Sequence, residues 1–320
     1  MRTIALEEHF AYAAKGVSGQ ELSRLGRFSP QVVGRLHELG EHRIAEMDKA
    51  GIDVQVLSLN SPGVQRLGGA EAVAFAKASN DHLAEAVRRH PKRFAGFAAL
   101  PTSSPKRAAE ELQRTVREFG FKGAAINGHT GGRYLDEKFF WPILERAEEL
   151  RVPIYIHPTI PPAPVVKAYY SGNHPQEVTQ LFAMAGWGWH IETAVHVLRL
   201  ILSGAMDKFP DLQVVVGHLG EGLPFMIERL DSVLSPSTTK LERPIGRYLR
   251  ENVYYTFSGF NYLPVFLSLL FEMGADRIMF SADYPFGSMT KAMEFLEKLP
   301  VSPGERERIA HSNAERLLRL

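Results

Sequence analysis

The sequence alternates short apolar runs with longer amphipathic stretches, and this alternation constrains the fold more than any other feature. Each run has the composition of a strand, and each following stretch has apolar residues three and four positions apart, which is the period of a helix. Eight strands are predicted in this way, at residues 3–7, 54–59, 94–98, 123–126, 153–157, 213–217, 253–257 and 278–280. Strands that alternate with helices indicate a parallel α/β sheet.

Eight such units in 320 residues favour one (β/α)8 TIM barrel that spans residues 1–320. The alternative is an open sheet of Rossmann type, but no G-x-G-x-x-G follows the first strand and no phosphate-binding G-x-x-x-x-G-K-[ST] occurs. Two stretches, 11–41 and 158–188, do not fit the alternation. We predict that they are insertions, the second after strand five, and that they form a lid or a subunit contact.

Composition excludes several classes of function. The 37 Lys and Arg residues nearly balance the 36 Asp and Glu residues, which argues against a nucleic-acid partner. The chain has no cysteine, so disulfides, iron–sulfur clusters and thiol nucleophiles are excluded, and a metal must be held by His, Asp or Glu. The longest apolar run, 262–271, is half the roughly 20 residues that a membrane helix needs. We therefore expect a cytoplasmic protein with no membrane partner.

Side chains that can bind a metal stand at the ends of four predicted strands, where the active site of a parallel barrel lies. They are Glu7, His9, His157, His218 and Asp283. Residues two apart in a strand point the same way, so Glu7 and His9 face one centre while Glu8 points away. Carboxylate and imidazole ligands suit a divalent ion such as zinc or manganese. The sequence therefore predicts a metal centre.

Two charged residues beyond strand six have more than one interpretation. Glu221, three residues after His218, can orient that imidazole or share a proton with it, or it can cap the helix that begins near Leu223. Arg229 lies about two helical turns further on. It can bind a substrate carboxylate in a bidentate fork, or it can be a solvated surface residue.

Other side chains near the strand ends are candidates for contact with a substrate. Asn60 follows strand two and Asn127 follows strand four, so their amides can face the same volume. Trp189 and Phe286 belong to a set of aromatic residues, several of which flank the candidate metal ligands in the sequence. Aromatic side chains are ordinary core material, but these two can also form an apolar wall for a flat ligand.

Four motifs together carry a resemblance that covers nearly the whole chain. They are Glu7-x-His9, His157-Pro158, His218-x-x-Glu221-Gly222 and Ser281-Ala282-Asp283-Tyr284-Pro285. The chain resembles the amidohydrolase superfamily, specifically its branch of metal-dependent, non-oxidative decarboxylases. That branch includes the decarboxylases of γ-resorcylate, 5-carboxyvanillate and aminocarboxymuconate semialdehyde.

The resemblance implies one divalent ion, zinc or manganese, and a ligand set consisting of Glu7, His9, His157 and Asp283. It also implies that Asp283 gives a proton to the ring carbon of the substrate, with His218 and Glu221 beside the metal. Arg229 then binds a carboxylate or phenolic group. No organic cofactor is implied, and strand four ends in Ile126-Asn127 with no lysine to bridge a second metal.

The resemblance favours decarboxylation of a hydroxylated aromatic acid such as γ-resorcylate. The alternative is a metal-dependent hydrolase of a lactone or related carbonyl compound, with His218 as the base, because one fold can support both reactions. A binding protein without activity is a third interpretation, which the complete ligand set disfavours. We also expect a homodimer or homotetramer, as is usual in the branch.

Overall fold

Nine parallel strand segments form the centre of the structure, a computed structural model that describes residues 1–12 and 29–320. They are β1 (Ile4–Phe10), β2 (Val54–Leu59), β3 (Phe94–Gly96), β4 (Ala98–Ala99), β5 (Ala124–Asn127), β6 (Ile154–His157), β7 (Val214–Val216), β8 (Val253–Thr256) and β9 (Ile278–Met279). Only Phe97 separates β3 from β4. These two segments are one interrupted strand, so the strand positions number eight.

Backbone hydrogen bonds close the strands into a ring. β1 to β3 pair in one run and β4 to β9 in another. The Phe97 N–H donates to the Leu57 carbonyl (2.9 Å), which joins the runs on one side. The Leu6 N–H donates to the Phe280 carbonyl (3.2 Å), which joins them on the other. The predicted (β/α)8 barrel is therefore confirmed.

Helices surround the ring and bury its outer face. In the described chain the longer ones are Pro30–His37, Glu41–Ala50, Gly69–Arg89, Pro105–Phe119, Trp141–Leu150, Gln176–Ala183, Gly188–Leu202, Leu223–Val233, Ile245–Glu251, Leu263–Met273 and Met289–Lys298. Short helices lie at Ala163–Val165, Ala205–Lys208, Pro236–Thr239, Pro303–Glu307 and Asn313–Leu318. One apolar cluster packs between strands and helices, and a second fills the barrel. This is the packed interior that a barrel of this type requires.

The two predicted insertions have different outcomes. Within 11–41, residues 13–28 lie outside the described residues. The segment 158–188 contains the helices Ala163–Val165 and Gln176–Ala183 and contributes to a cavity at the carboxyl ends of the strands. Whether either stretch acts as a lid or a subunit contact stays a prediction. Across residues 1–12 and 29–320, no helix has the length and apolar character needed to span a membrane.

Candidate active site

A bulge in β1 turns Glu7 and His9 toward the barrel axis. Ile4 and Leu6 belong to the interior cluster, so strict alternation would point Glu7 outward. Between Ala5 and Glu8, β1 advances three residues while β2 advances only two. The extra residue reverses the alternation. β1 also continues to Phe10, so His9 lies within the strand and not after its predicted end at residue 7.

The Glu7 carboxylate is held through one oxygen and leaves the other free of hydrogen bonds. Its Oε2 accepts hydrogen bonds from the hydroxyls of Tyr155 and Ser258. Its Oε1 has no hydrogen-bond partner among the described residues and lies 3.2 Å from His157 Nε2 and 3.8 Å from His218 Nε2. A Cβ at Gly217 would stand 2.3 Å from Oε2, so only glycine fits beneath the carboxylate.

His9 brings a second unpaired atom to the same place. Its Nε2 lies 3.2 Å from Asp283 Oδ1 but has no hydrogen-bond partner in the described structure. The His9 and His157 rings meet edge to face, with centroids 4.7 Å apart. Burial lowers the pKa of His9 to about 4, against the opposing charge of Glu7, and burial also lowers the pKa of His157. Both imidazoles are therefore neutral at pH 7.

These residues fit a divalent metal on the chemistry of their donors. One ligand atom from each of Glu7, His9 and His157 lies within 4.8 Å of the others, and all three residues are buried. A buried polar atom without a hydrogen-bond partner lowers the stability of the fold by about 1–3 kcal/mol. This cluster contains two such atoms, Glu7 Oε1 and His9 Nε2. Burial would raise the pKa of Glu7, but the surrounding imidazoles, His218 first, hold it well below its usual value. An anionic carboxylate beside neutral imidazoles is the state that binds metal.

A chain of hydrogen bonds lies beside this cluster. Glu221 Oε1 is 2.7 Å from His218 Nδ1, and Glu221 Oε2 is 2.6 Å from His190 Nδ1. His190 Nε2 lies 3.0 Å from the Trp189 indole nitrogen, which donates to it, and 3.2 Å from the Ala185 carbonyl oxygen. Burial would lower the pKa of His218, but the charges of Glu221 and Glu7 outweigh it and raise the pKa to about 10. His218 is therefore a cation beside the cavity.

Asp283 is positioned by the outward-facing Glu8. The Glu8 carboxylate accepts hydrogen bonds from the backbone N–H groups on either side of Asp283, those of Ala282 (2.8 Å) and Tyr284 (3.1 Å). Asp283 has a φ of 59°, which non-glycine residues rarely adopt. Burial and the charge of Glu7 raise the pKa of Asp283 to about 7. Glu8 thus anchors a strained turn that presents the Asp283 carboxyl group to the cavity.

The cavity has a volume of about 490 Å³ and contains several of the predicted binding residues. Its described lining consists of Asn60, Ser61, Pro62, Arg66, His157, Thr159, Ile160, Gln180, Met184, Ala185, Trp189, His218, Asp283 and Phe286. The structure therefore brings Asn60, Trp189 and Phe286 together with His157, His218 and Asp283. The volume lies within the usual range for small-molecule sites, about 300–1,000 Å³.

Two predicted binding residues lie elsewhere. Asn127 is buried beneath the cavity wall, where its Nδ2 donates to the Leu59 carbonyl (3.3 Å). Arg229 is exposed and is not part of the described cavity lining. Its helix, Leu223–Val233, starts at the carboxyl end of the barrel and runs back along its side, so two turns take Arg229 away from the mouth. A role of Arg229 in binding a substrate therefore stays a prediction.

Sequence reasoning missed His190, Tyr155 and Ser258. The strand position of Tyr155, two residues before His157, placed it on the same face as a predicted ligand and was a usable signal. His190 lies in the first turn of helix Gly188–Leu202. No spacing in the sequence relates it to Glu221, so only the fold reveals that contact.

Carboxylate and imidazole groups gathered at the carboxyl ends of barrel strands define a (β/α)8 enzyme barrel. The model of the family described as Amidohydrolase matches residues 32–320. This chain therefore belongs to the amidohydrolase family, as the motifs in its sequence predicted.

Similar proteins include several decarboxylases. The chain is 38% identical to the γ-resorcylate decarboxylase of Polaromonas sp., over 99% of this chain and 98% of the relative. The crystal structure of a dihydroxybenzoic acid decarboxylase from Polaromonas sp., with bound manganese and the inhibitor 2-nitroresorcinol, matches with a TM-score of 0.91 at 36% identity, covering 100% of this chain and 97% of that one. The 5-carboxyvanillate decarboxylase of Novosphingobium aromaticivorans, complexed with manganese and 4-hydroxy-3-methoxy-5-nitrobenzoic acid, matches with a TM-score of 0.89 at 36% identity, covering 100% and 96%.

Proposed function

We propose that this chain is a cytoplasmic, metal-dependent decarboxylase that removes CO2 from a hydroxylated aromatic acid of the dihydroxybenzoate type, without an organic cofactor. The observation that carries the proposal is the pair of unpaired buried atoms, Glu7 Oε1 and His9 Nε2, beside His157 in the floor of an aromatic-walled cavity. The decarboxylases similar to this chain, two of them solved with manganese and a ring-bearing ligand, support the same reaction.

Glu7, His9, His157 and Asp283 would hold the ion in this proposal. Three of them offer ligand atoms within 4.8 Å of one another, and Asp283 Oδ1 lies 3.2 Å from His9 Nε2. A bound divalent ion supplies positive charge for the carboxylate and the neighbouring phenolate oxygen of the substrate.

The remaining side chains position the substrate and supply the proton. Trp189 and Phe286 would flank the flat ring, and Asn60, which also lines the cavity, would offer its amide to the substrate. The cationic His218, held by Glu221, attracts an acidic ligand. Asp283 then gives a proton to the ring carbon that bears the carboxylate. The bond between that carbon and the carboxylate breaks, CO2 leaves, and the electron pair of the bond restores the aromatic ring.

The decisive assay measures products from 2,6-dihydroxybenzoate and related acids in deuterated water with added manganese or zinc. We expect CO2 release and one deuterium on the carbon that lost it. A lactone panel in water labelled with oxygen-18 tests the hydrolase alternative in parallel. Incorporation of the label with no CO2 from any aromatic acid would replace the decarboxylase assignment by the hydrolase.

We also propose that the chain forms a homodimer or homotetramer. Large apolar side chains are exposed in and near the segment 158–188, among them Tyr169 (75% exposed) and Trp187 (53%). Since Arg229 is not part of the described lining of its own cavity, we propose that it binds the substrate of a neighbouring subunit. Light scattering should give a multiple of the 35.8 kDa chain mass. A monomer at micromolar concentration would refute both the assembly and that role.

A further inference from the structure

The segment 158–188 begins with a stretch of backbone that can donate few hydrogen bonds. Three of its first five residues are proline, and proline has no N–H group. The two other residues, Thr159 and Ile160, line the cavity. Backbone polar groups in a folded chain need partners. This part of the cavity wall therefore depends on groups from neighbouring loops to hold it in place.

His129 holds this backbone from the loop of residues 128–136, which follows β5. Its Nδ1 accepts a hydrogen bond from the Gly132 N–H (3.0 Å). A neutral imidazole carries one proton, so that proton must be on Nε2. Nε2 lies 3.2 Å from the Ile160 carbonyl oxygen and donates to it. Burial lowers the pKa of His129, which keeps the ring neutral at pH 7 and preserves both hydrogen bonds.

The start of the segment also fits closely against its neighbours. Gly128 has a φ of 66°, and a Cβ at this position would stand 2.3 Å from Thr159 Cγ2. Only glycine allows the two stretches of backbone to approach so closely. The Ser61 hydroxyl, in the loop after β2, donates to the Thr159 hydroxyl (3.3 Å). Two loops thus fix Thr159, and His129 fixes the residue that follows it.

Loop 128–136 is also attached to helix Gly188–Leu202, which begins where the segment ends. The Leu135 N–H donates to His196 Nε2 (3.1 Å). The residues on either side of Leu135 bind Glu192 and Arg199. These three helical residues are four and three positions apart and therefore share one face of the helix. The loop thus holds the segment at its start and, through this helix, at its end.

We propose that His129 is a positioning residue for substrate binding, because its hydrogen bond to Ile160 fixes the part of the cavity wall that packs against the aromatic ring. The inference rests on the proposed function for the identity of the ligand, whereas the contacts of His129 are made within the protein. His129 is neither part of the described cavity lining nor one of the proposed metal ligands. Its loss should therefore weaken binding and leave the chemical step unchanged.

The first test measures the kinetics of the manganese-loaded protein with 2,6-dihydroxybenzoate. His129→Ala should raise KM about 10-fold, the scale of one net hydrogen bond, while kcat and bound manganese stay within about twofold. His129→Gln can place an amide N–H near the position of Nε2 and should recover most of the change in KM. His311→Ala is the matched control. This partly buried histidine bonds to Glu315 (3.0 Å), and neither residue is in the described cavity lining.

Two further measurements separate this inference from the reaction itself. Backbone amides of the segment 158–188 should exchange with deuterated water faster in His129→Ala than in the wild type or His311→Ala, since the segment opens more often. Calorimetry should show about 10-fold weaker binding of 2,6-dihydroxybenzoate to His129→Ala. If no acid is decarboxylated but both changes occur, the proposed reaction fails and the role of His129 stands.

Two results would overturn the inference. A lower Tm of His129→Ala with unchanged KM, affinity and exchange would mean that His129 only stabilises the fold. A fall in kcat at unchanged KM would mean that His129 acts on the chemical step and not on binding.

Discussion

Two clusters of imidazole and carboxylate groups lie side by side at the carboxyl ends of the strands, and they differ in how their polar atoms are paired. Both bring three ligand-type atoms within 4.8 Å of one another. In the cluster of Glu7, His9 and His157, two of the facing atoms have no hydrogen-bond partner among the described residues. In the cluster of His190, His218 and Glu221, both carboxylate oxygens lie 2.6–2.7 Å from an imidazole nitrogen.

The difference shows that proximity alone does not identify a metal site. The second cluster is complete when a proton sits on the Nδ1 atom of each histidine, so an ion there would have to displace both protons. The first cluster is incomplete. Burial has removed its two unpaired atoms from water, and this free-energy cost is not offset until a ligand binds to them. We therefore assign metal binding to the first cluster and proton holding to the second, and three substitutions test this division.

The largest effect is expected from His157→Ala, which removes a donor from the first cluster. Bound manganese should fall from about one ion per chain to near zero, and decarboxylation should fall below detection. Since an ion that binds only the folded state stabilises it, manganese should raise the Tm of the wild type but not of the variant. Elemental analysis and thermal melts measure both quantities. His37→Ala is the control, because His37 is exposed at the end of its helix; a metal content in His157→Ala equal to that control would remove the assignment.

The next largest effect is expected from Asp283→Asn, which keeps the size of the side chain and removes its acid. Turnover should fall about 100-fold or more, the usual scale for a proton-transfer group. Since Glu7, His9 and His157 remain, the variant should still bind manganese, with lower affinity. Single-turnover kinetics of the manganese-loaded variant isolate the chemical step. Near-normal turnover with metal bound would show that the proton comes from another group.

The sequence predicted the eight strand positions and most helices because apolar periodicity is a local property that the barrel preserves. Helix Pro105–Phe119, for example, lies in the amphipathic stretch between the predicted strands at 94–98 and 123–126. The bulge in β1 was not predictable in this way. The bulge arises because β1 advances three residues where β2 advances two. Glu7 and His9 are two residues apart and point to the same face with or without a bulge, so their spacing does not reveal it.

The residues that form the site were more predictable from the sequence than the contacts between them. Residues that close strands could be found by position, which is why His157, His218 and Asp283 were identified. Contacts between distant segments left no trace in the sequence, such as that of His190 with Glu221, 31 residues apart. The binding role of Arg229 stays a prediction, because Arg229 is exposed and is not part of the described cavity lining. Helix Leu223–Val233 runs from the carboxyl end of the barrel back along its side. Residues further along this helix therefore lie further from the cavity mouth.

The smallest effect is expected from His190→Ala, which removes one residue of the second cluster and leaves all residues of the first in place. His190 contacts no proposed ligand of the metal; it holds Glu221 Oε2 and is itself held by the Trp189 indole (3.0 Å). Its loss frees Glu221 to rotate, so His218 is positioned less well. We expect kcat to fall about 10-fold, the low end of the effect of removing a residue that orients another. KM and bound manganese should be unchanged.

His190→Asn distinguishes this positioning role from a purely structural one. The asparagine amide can donate to Glu221 much as Nδ1 of His190 does, so it should recover most of kcat although it also removes the imidazole ring. If the ring served only to pack against Phe260, whose centroid lies 5.1 Å away, both variants would lower the Tm alike and asparagine would recover nothing. Loss of manganese from His190→Ala would contradict the division more directly. It would mean that metal binding depends on both clusters, which would then form one site.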